Sequence, residues 1–218
     1  MKKFSKLFGS KSSLPLGLAV IFGVWVLYRL LTHFPTWVDE VFVKALVFGF
    51  PAWIFARTIK NSHKVMGFTN DLFWKGMFSG LLLGGFYEFI GVFVYMLRGT
   101  PMMRAYLYAS PLFLEAFFLA MMTAFWESLF FFGYVLNRTK EMFKMEIPAI
   151  MMTSTVFVLF HAPLRFLITG VTPQLWVEML VLFLFAVGQS VLFLRTKSIF
   201  SVVLSHALWG MVLLIYTG

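Results

Sequence analysis

Residues 124–134 read AFWESLFFFGY, which places one carboxylate, that of Glu127, in a run dominated by aromatic side chains. The rest of the chain has the same character, since 61% of its 218 residues are hydrophobic, 20% are aromatic and only 12% are charged. A soluble domain of this length has too little interior to bury so much apolar surface. The composition therefore predicts a protein that is embedded in a membrane.

Apolar runs of about 17 to 25 residues are long enough to cross a bilayer as helices. Prolines fall at or near the breaks between such runs, and Ser110-Pro111 and Thr172-Pro173 are typical of helix starts. We therefore expect an all-α, polytopic membrane helix bundle, with residues 1–218 forming a single integral membrane domain. About seven transmembrane helices are predicted, at residues 14–33, 37–59, 72–98, 112–137, 148–168, 174–194 and 198–217.

The basic residues are unevenly distributed along the chain. Lys and Arg number 18 against 9 Asp and Glu, and a cytoplasmic N-terminus would place 13 of the 18 cations in the cytoplasm. This topology accounts for the net charge of +9, so the expected partners are membrane lipids and not nucleic acid. We expect a protein of the cell (plasma) membrane with its N-terminus in the cytoplasm. The chain has no cysteine, which excludes disulfides and thiolate catalysis.

Three ionisable residues lie inside different apolar runs. At 1.5 Å per residue, Glu127, His161 and His206 lie about 15, 20 and 12 Å from the predicted cytoplasmic ends of their helices. A buried ionisable group is costly in a membrane, so it tends to face the bundle interior and to find a partner. We expect these three side chains to converge.

Several kinds of site would suit such a cluster. It could be a structural hydrogen-bond network, a proton relay in a transporter, or a catalytic site in which a carboxylate acts as general base. A Glu and two His side chains could also ligate zinc. The chain contains no H-E-x-x-H sequence, so we do not expect a metal.

Small residues mark one face of the third run. Gly76, Gly80 and Gly84 repeat every four residues, and the spacing continues to Glu88. Because small side chains allow a neighbouring helix to approach closely, we expect this run to pack tightly, with Glu88 turned inward.

The residues around the three ionisable positions match parts of a known pattern. Residues 127–134, ESLFFFGY, align with a motif E-E-x-x-x-R followed by Gly-Tyr, and Phe157 with His161 meets F-x-x-x-H. His206 begins a third motif, a His followed four residues later by Asn or Asp, but Gly210 occupies the last position. In order and spacing, residues 112–217 thus resemble the CPBP family (CAAX prenyl endopeptidases and Abi proteins) of intramembrane glutamate proteases.

The resemblance implies an activity and a role for each residue. Glu127, helped by His161, would activate a water molecule that attacks a peptide carbonyl, and His206 would stabilise the oxyanion. No metal or other cofactor is implied. The substrate would be a peptide or protein, with or without an attached lipid, cut near the cytoplasmic side. The supporting positions are Ser128, Phe157, Gly210 and Ser154.

Three positions depart from the family pattern. Ser128 replaces the second Glu, Phe132 replaces the Arg, and Gly210 replaces the final Asn or Asp. Positions 128 and 132 are four residues apart, so the two charges of an ion pair are lost together. The alternative function is therefore a catalytically inactive relative that binds or protects a partner in peptide maturation, immunity or assembly. A water-filled cavity reaching Glu127 from the cytoplasm would favour the protease.

Overall fold

The computed structural model describes residues 13–32, 34–69, 73–97 and 112–217, with every side chain in these ranges except those of residues 168, 169 and 213–217. These ranges are helical and contain no strand. The helices are α1 (Leu14–Leu31), α2 (Thr36–Val38, Asp39–Val43, Ala45–Gly49 and Phe50–Ala56), α3 (Ser62–Val65), α4 (Phe73–Leu97), α5 (Leu112–Ser128, Leu129–Val135 and Leu136–Phe143), α6 (Glu146–Thr169), α7 (Pro173–Thr196) and α8 (Ile199–Thr217).

Each of the seven predicted apolar runs forms a helix. Helices α1, α4, α5, α6 and α7 are long and apolar enough to cross a membrane, and α8 contains a shorter apolar stretch, Ile199–Val212. The predicted class, a polytopic helical membrane bundle, is confirmed. Thr172 caps α7 as expected, because its hydroxyl accepts a hydrogen bond from the Leu175 N–H. Ser110 and Pro111 lie outside the described residues.

Helix α5 ends later than the sequence predicted. It continues to Phe143. Its last two turns are polar, so they are not part of the apolar run. Ion pairs of Arg138 with Glu141 and of Lys140 with Glu146 hold these turns. Lys144 then stops the helix in a left-handed conformation, with φ 56°. Glu127 therefore lies about 24 Å from this end of α5 and not about 15 Å, at 1.5 Å per residue.

Two stretches of α2 and one of α5 are wound as π-helices. In α2 these stretches are Asp39–Val43 and Ala45–Gly49, on either side of Lys44, whose N–H bonds to the carbonyl of Asp39 five residues back. In α5 the π-helix is Leu129–Val135, which begins two residues after Glu127. π-Helical turns are rare and are frequent at functional sites. Both changes of winding occur next to the ionisable groups in the bundle.

One end of the bundle collects most of the basic residues, and we call it the basic end. There α5 is tied to the turn after α2, since Arg138 donates to Thr58 and the Asn137 amide donates to the Val65 carbonyl. The Ile199 N–H at the start of α8 donates to the Gly67 carbonyl. The basic residues described at this end are Arg57, Lys60, Lys64, Lys75, Arg138, Lys140, Lys144, Arg195 and Lys197.

The glycine face of α4 packs tightly, as the sequence predicted, and the helix that it contacts is α8. A Cβ atom added at Gly80 would lie 2.9 Å from the Cα of Ser201, and one at Gly84 would lie 2.9 Å from the Cα of Ser205. Real Cβ atoms essentially never approach backbone atoms so closely. Because Gly80 and Gly84 have no side chains, α8 can lie directly against α4. This contact helps to set the position of α8, and with it the position of His206.

Gly80→Ala is expected to destabilise the protein by about 1–3 kcal/mol, because the new methyl group would push α8 away from α4. The matched control is Gly85→Ala, since a Cβ at Gly85 meets no atom within 4 Å. That change should be neutral or stabilising, because Ala favours a helix more than Gly does. Thermal unfolding of both variants in detergent measures the difference. Equal effects would show that α4 and α8 do not pack through Gly80.

Candidate active site

Three helices bring the predicted site residues together. Glu127 on α5 is 5% exposed, and its Oε2 atom lies 3.5 Å from Nε2 of His161 on α6 and 3.6 Å from Nε2 of His206 on α8. Both imidazoles therefore turn the same ring nitrogen towards one carboxylate oxygen. The expected convergence is found in the geometry.

Lys44 on α2 is a fourth member of the cluster. Its Nζ donates to Oε1 of Glu127 at 2.8 Å and lies 2.6 Å from Oε2 of Glu40, one turn earlier in α2. The Thr123 hydroxyl, one turn before Glu127 on α5, donates to the same Glu40 oxygen. Lys44 is 4% exposed. Its ammonium group thus joins two carboxylates inside the bundle.

Lys44 and Glu40 are not among the site residues predicted from the sequence. Both residues lie in the second apolar run, four positions apart, and Asp39 precedes them. Three charges so close together in a membrane helix are a signal that could have found them, because intramembrane charges are usually functional or paired. Which partner Lys44 takes depends on how α2 packs against α5, and spacing within α2 does not reveal that.

The other nitrogen of each imidazole has its own neighbour. His161 Nδ1 lies 2.8 Å from the Phe157 carbonyl oxygen, which only accepts, so Nδ1 carries the proton and donates. His206 Nδ1 lies 3.3 Å from the Ser128 hydroxyl, and either group can donate. The neutral form of His161 consequently has an unprotonated Nε2 facing Glu127.

The four supporting positions have different surroundings. Ser128 is fully buried against His206, and the Phe157 ring stacks on the His161 ring with 4.3 Å between centroids. Ser154 is fully buried, and its hydroxyl has no hydrogen-bond partner in the structure. Gly210 lines the cavity above His206, and a Cβ there would meet only the Cβ of Ala120, at 4.0 Å. A Cβ at position 210 would therefore not clash with the described residues.

The position of the missing arginine is filled by an aromatic core. Phe132 is fully buried and packs against Phe157, with 6.1 Å between ring centroids. Ser128 contacts His206 instead, so the two altered motif positions have different neighbours. Neither position leaves a charge without a partner.

The cluster lies in a cavity of about 400 Å³. Its polar lining comes from Glu127, Lys44, His161 and His206 together with Arg29, Glu40, Thr123 and Arg165, and aromatic side chains provide most of the rest. The volume is within the range of small-molecule sites, which run from about 300 to 1,000 Å³. A cavity with convergent polar groups in an otherwise apolar lining can hold a water molecule and an extended stretch of peptide.

The sequence left open a zinc site formed by Glu and His side chains. Within the part of the chain that the structure describes, no group of three or more His, Cys, Asp or Glu side chains could hold a metal ion. The Lys44 ammonium donates to Oε1 of Glu127, so this carboxylate already has a cationic partner.

A known protein family matches part of the chain. The model of the type II CAAX prenyl endopeptidase Rce1-like family matches residues 109–212, a range that contains Glu127, His161, His206 and Gly210. This region, slightly less than half of the chain, is similar to the CAAX protease family. No curated protein and no solved structure matches the chain significantly. The resemblance predicted from the motifs is confirmed, and it points to a protease that is an integral membrane protein.

Proposed function

We propose that this Rce1-like protein is an intramembrane endopeptidase in which Glu127 is the general base. The observation that carries the proposal is the convergence of Oε2 of Glu127 with Nε2 of His161 and of His206, at 3.5 and 3.6 Å, on one wall of a cavity. A base and a second polar group within about one water of each other are what water activation requires.

His161 positions the attacking water in this mechanism. Its Nδ1–H is held by the Phe157 carbonyl, so Nε2 can accept a hydrogen bond from a water that also faces Glu127. Glu127 takes a proton from this water while the water oxygen forms a bond to the carbonyl carbon of the peptide. The proton then passes to the leaving nitrogen as the C–N bond breaks, giving a carboxylic acid and an amine.

His206 stabilises the oxyanion. If the Ser128 hydroxyl donates to Nδ1, the proton of His206 is on Nε2, which then donates towards the carbonyl oxygen that gains charge. A preorganised donor of this kind is commonly worth about 3–4 kcal/mol of the barrier. Ser128 is in this role a positioning residue that fixes the tautomer of His206.

Lys44 makes a charged Glu127 tolerable in apolar surroundings. A buried carboxylate alone is strongly unfavourable, and an ammonium at 2.8 Å offsets much of that cost. Glu40 shares the same ammonium, so Lys44 is itself held in place. We propose no metal and no organic cofactor for the reaction.

The second candidate function is a catalytically inactive relative that binds or protects a partner. It is favoured by one observation, the glycine at position 210 where the family motif has Asn or Asp. The two functions are separated by incubating the protein in proteoliposomes with membrane peptides, each with and without a prenyl group, and identifying products by mass spectrometry. Products that form with the native chain and not with Glu127→Gln support the protease.

Gly210→Asn is expected to raise kcat by about tenfold, because the amide would add a donor near the oxyanion and single donors can be worth 10²–10³-fold. A Cβ at this position would not clash with the described residues, and Gly210 lines the cavity. Gly210→Leu is the control, since Leu has a similar size and no donor. If Asn and Leu change kcat equally, the effect is steric and position 210 does not face the oxyanion.

A further inference from the structure

We infer that peptides reach Glu127 from the extracytoplasmic side of the membrane, through the end of the bundle opposite the basic end. We call this the open end; there α1 and α6 finish and α2, α5 and α7 begin. The inference rests on the proposed peptidase function and reverses the access side expected from the sequence. It defines the substrate as a peptide whose scissile bond is available outside the cytoplasm.

The cavity extends from the catalytic cluster in one direction on four helices. On α2 it includes Glu40 and on α5 Thr123, each one turn before a member of the cluster. On α6 it includes Leu164 and Arg165, one turn after His161, and on α8 Gly210, one turn after His206. In each case the added residue is nearer the open end than the cluster residue on the same helix.

Between Glu127 and the basic end, the same helices are tightly packed. On α5 every residue from Ser128 to Leu136 is at most 8% exposed, and on α8 every residue from Ser201 to Ser205 is buried to a similar degree. On α6, Phe157 is 1% exposed and Ser154 is fully buried. Among the described residues, the route from Glu127 to the basic end therefore passes through packed protein.

Five packed aromatic rings lie on the basic side of the cavity and are called its floor here, and three of them, Phe48, Phe157 and Phe160, line it directly. Phe48, Phe130, Phe131, Phe157 and Phe160 come from three helices, and neighbouring rings have centroids 4.9–6.0 Å apart. These are contact distances for aromatic pairs, and protein interiors packed in this way rarely leave voids larger than a water molecule. A peptide could not cross the floor without displacing it.

Side chains on the open side of Glu127 are more exposed than Glu127 itself. The His161 side chain, on the open side of Glu127, is 28% exposed, whereas the side chains of Glu127 and Lys44 are 6% and 5% exposed. Further out, Leu164 is 40% exposed and the Arg165 side chain is 30% exposed. These side chains near the open end are therefore more exposed than the carboxylate.

The charges of the two ends determine which side of the membrane each one faces. Nine of the described cations lie at the basic end, whereas Arg29 and Arg165 near the open end are each paired with a carboxylate, those of Asp39 and Glu178. Loops rich in Lys and Arg stay in the cytoplasm, so the basic end is cytoplasmic. The open end then faces the outside, and the floor keeps cytoplasmic peptides from the site.

The chain has no cysteine, which allows a direct test with single introduced thiols. Leu164→Cys places a thiol at the open end of the cavity. Met145→Cys places one at the basic end, where Met145 is 62% exposed. Intact cells and inside-out vesicles are treated with a membrane-impermeant maleimide, and labelling of each variant is measured after purification.

The expected result is that Leu164→Cys is labelled in intact cells and that Met145→Cys is labelled only in inside-out vesicles. Labelling of Leu164→Cys only in inside-out vesicles, or in neither preparation, would overturn the inference. Labelling does not depend on cleavage, so the result stands whether or not the protein proves to be a peptidase. If the native protein and Glu127→Gln instead gave the same products in the peptide assay, only the proposed function would be overturned.

Discussion

Glu127→Gln should reduce peptide cleavage by about 10²–10⁴-fold, the range that general base catalysis commonly contributes. The amide has the size of the carboxylate and can still accept a hydrogen bond from Lys44, but it cannot take a proton from water. Lys44 keeps Glu40 as a charged partner, so the variant should remain folded. Initial rates in proteoliposomes measure the loss, and thermal unfolding in detergent verifies the fold.

The control for this variant is Glu141→Gln. Glu141 pairs with Arg138 at the basic end, its side chain is 34% exposed, and it is remote from the cavity lining. Its replacement should leave kcat and KM unchanged. If Glu127→Gln cleaves as fast as the native protein, Glu127 is not the base and the glutamate mechanism is wrong. If neither the native protein nor Glu127→Gln cleaves any peptide, the second candidate function, an inactive relative that binds or protects a partner, is supported.

Features that depend on local sequence could be predicted. Helix positions follow from apolar run length, and the spacing of Gly76, Gly80 and Gly84 predicts that α4 packs closely against a neighbour, without identifying that neighbour as α8. The convergence of Glu127 with His161 and His206 was also predictable. Burying three ionisable groups separately in one small bundle would be far more costly than placing them together.

Features that depend on how helices contact one another could not be predicted. The ion pair between Lys44 and Glu127 joins residues 83 positions apart, and the π-helical turns beside Lys44 have no clear sequence signal. The direction in which the cavity opens depends on whether neighbouring helices cover the residues one turn from Glu127 on the basic side or on the open side. On the basic side these residues pack against the phenylalanines of neighbouring helices, and the sequence alone does not reveal those neighbours.

Lys44→Met should both destabilise the protein and reduce its activity. Removing the ammonium leaves the carboxylates of Glu40 and Glu127 in apolar surroundings without their shared partner, and breaking a buried ion pair in this way costs about 3–5 kcal/mol. One carboxylate is then expected to become protonated, and a protonated Glu127 cannot act as the base. Thermal unfolding and kcat for the same preparation measure the two effects.

Two further variants separate the charge of Lys44 from its packing. Lys44→Arg keeps the positive charge and should retain more stability and activity than Lys44→Met. The double change Lys44→Met with Glu40→Gln removes one positive and one negative charge, so it should recover much of the lost stability through a favourable coupling between the two positions. Its kcat should stay low, because Glu127 still lacks its ammonium partner. Additive stability effects would mean that Lys44 and Glu40 do not interact in the folded protein, and native kcat in the double variant would remove Lys44 from the mechanism.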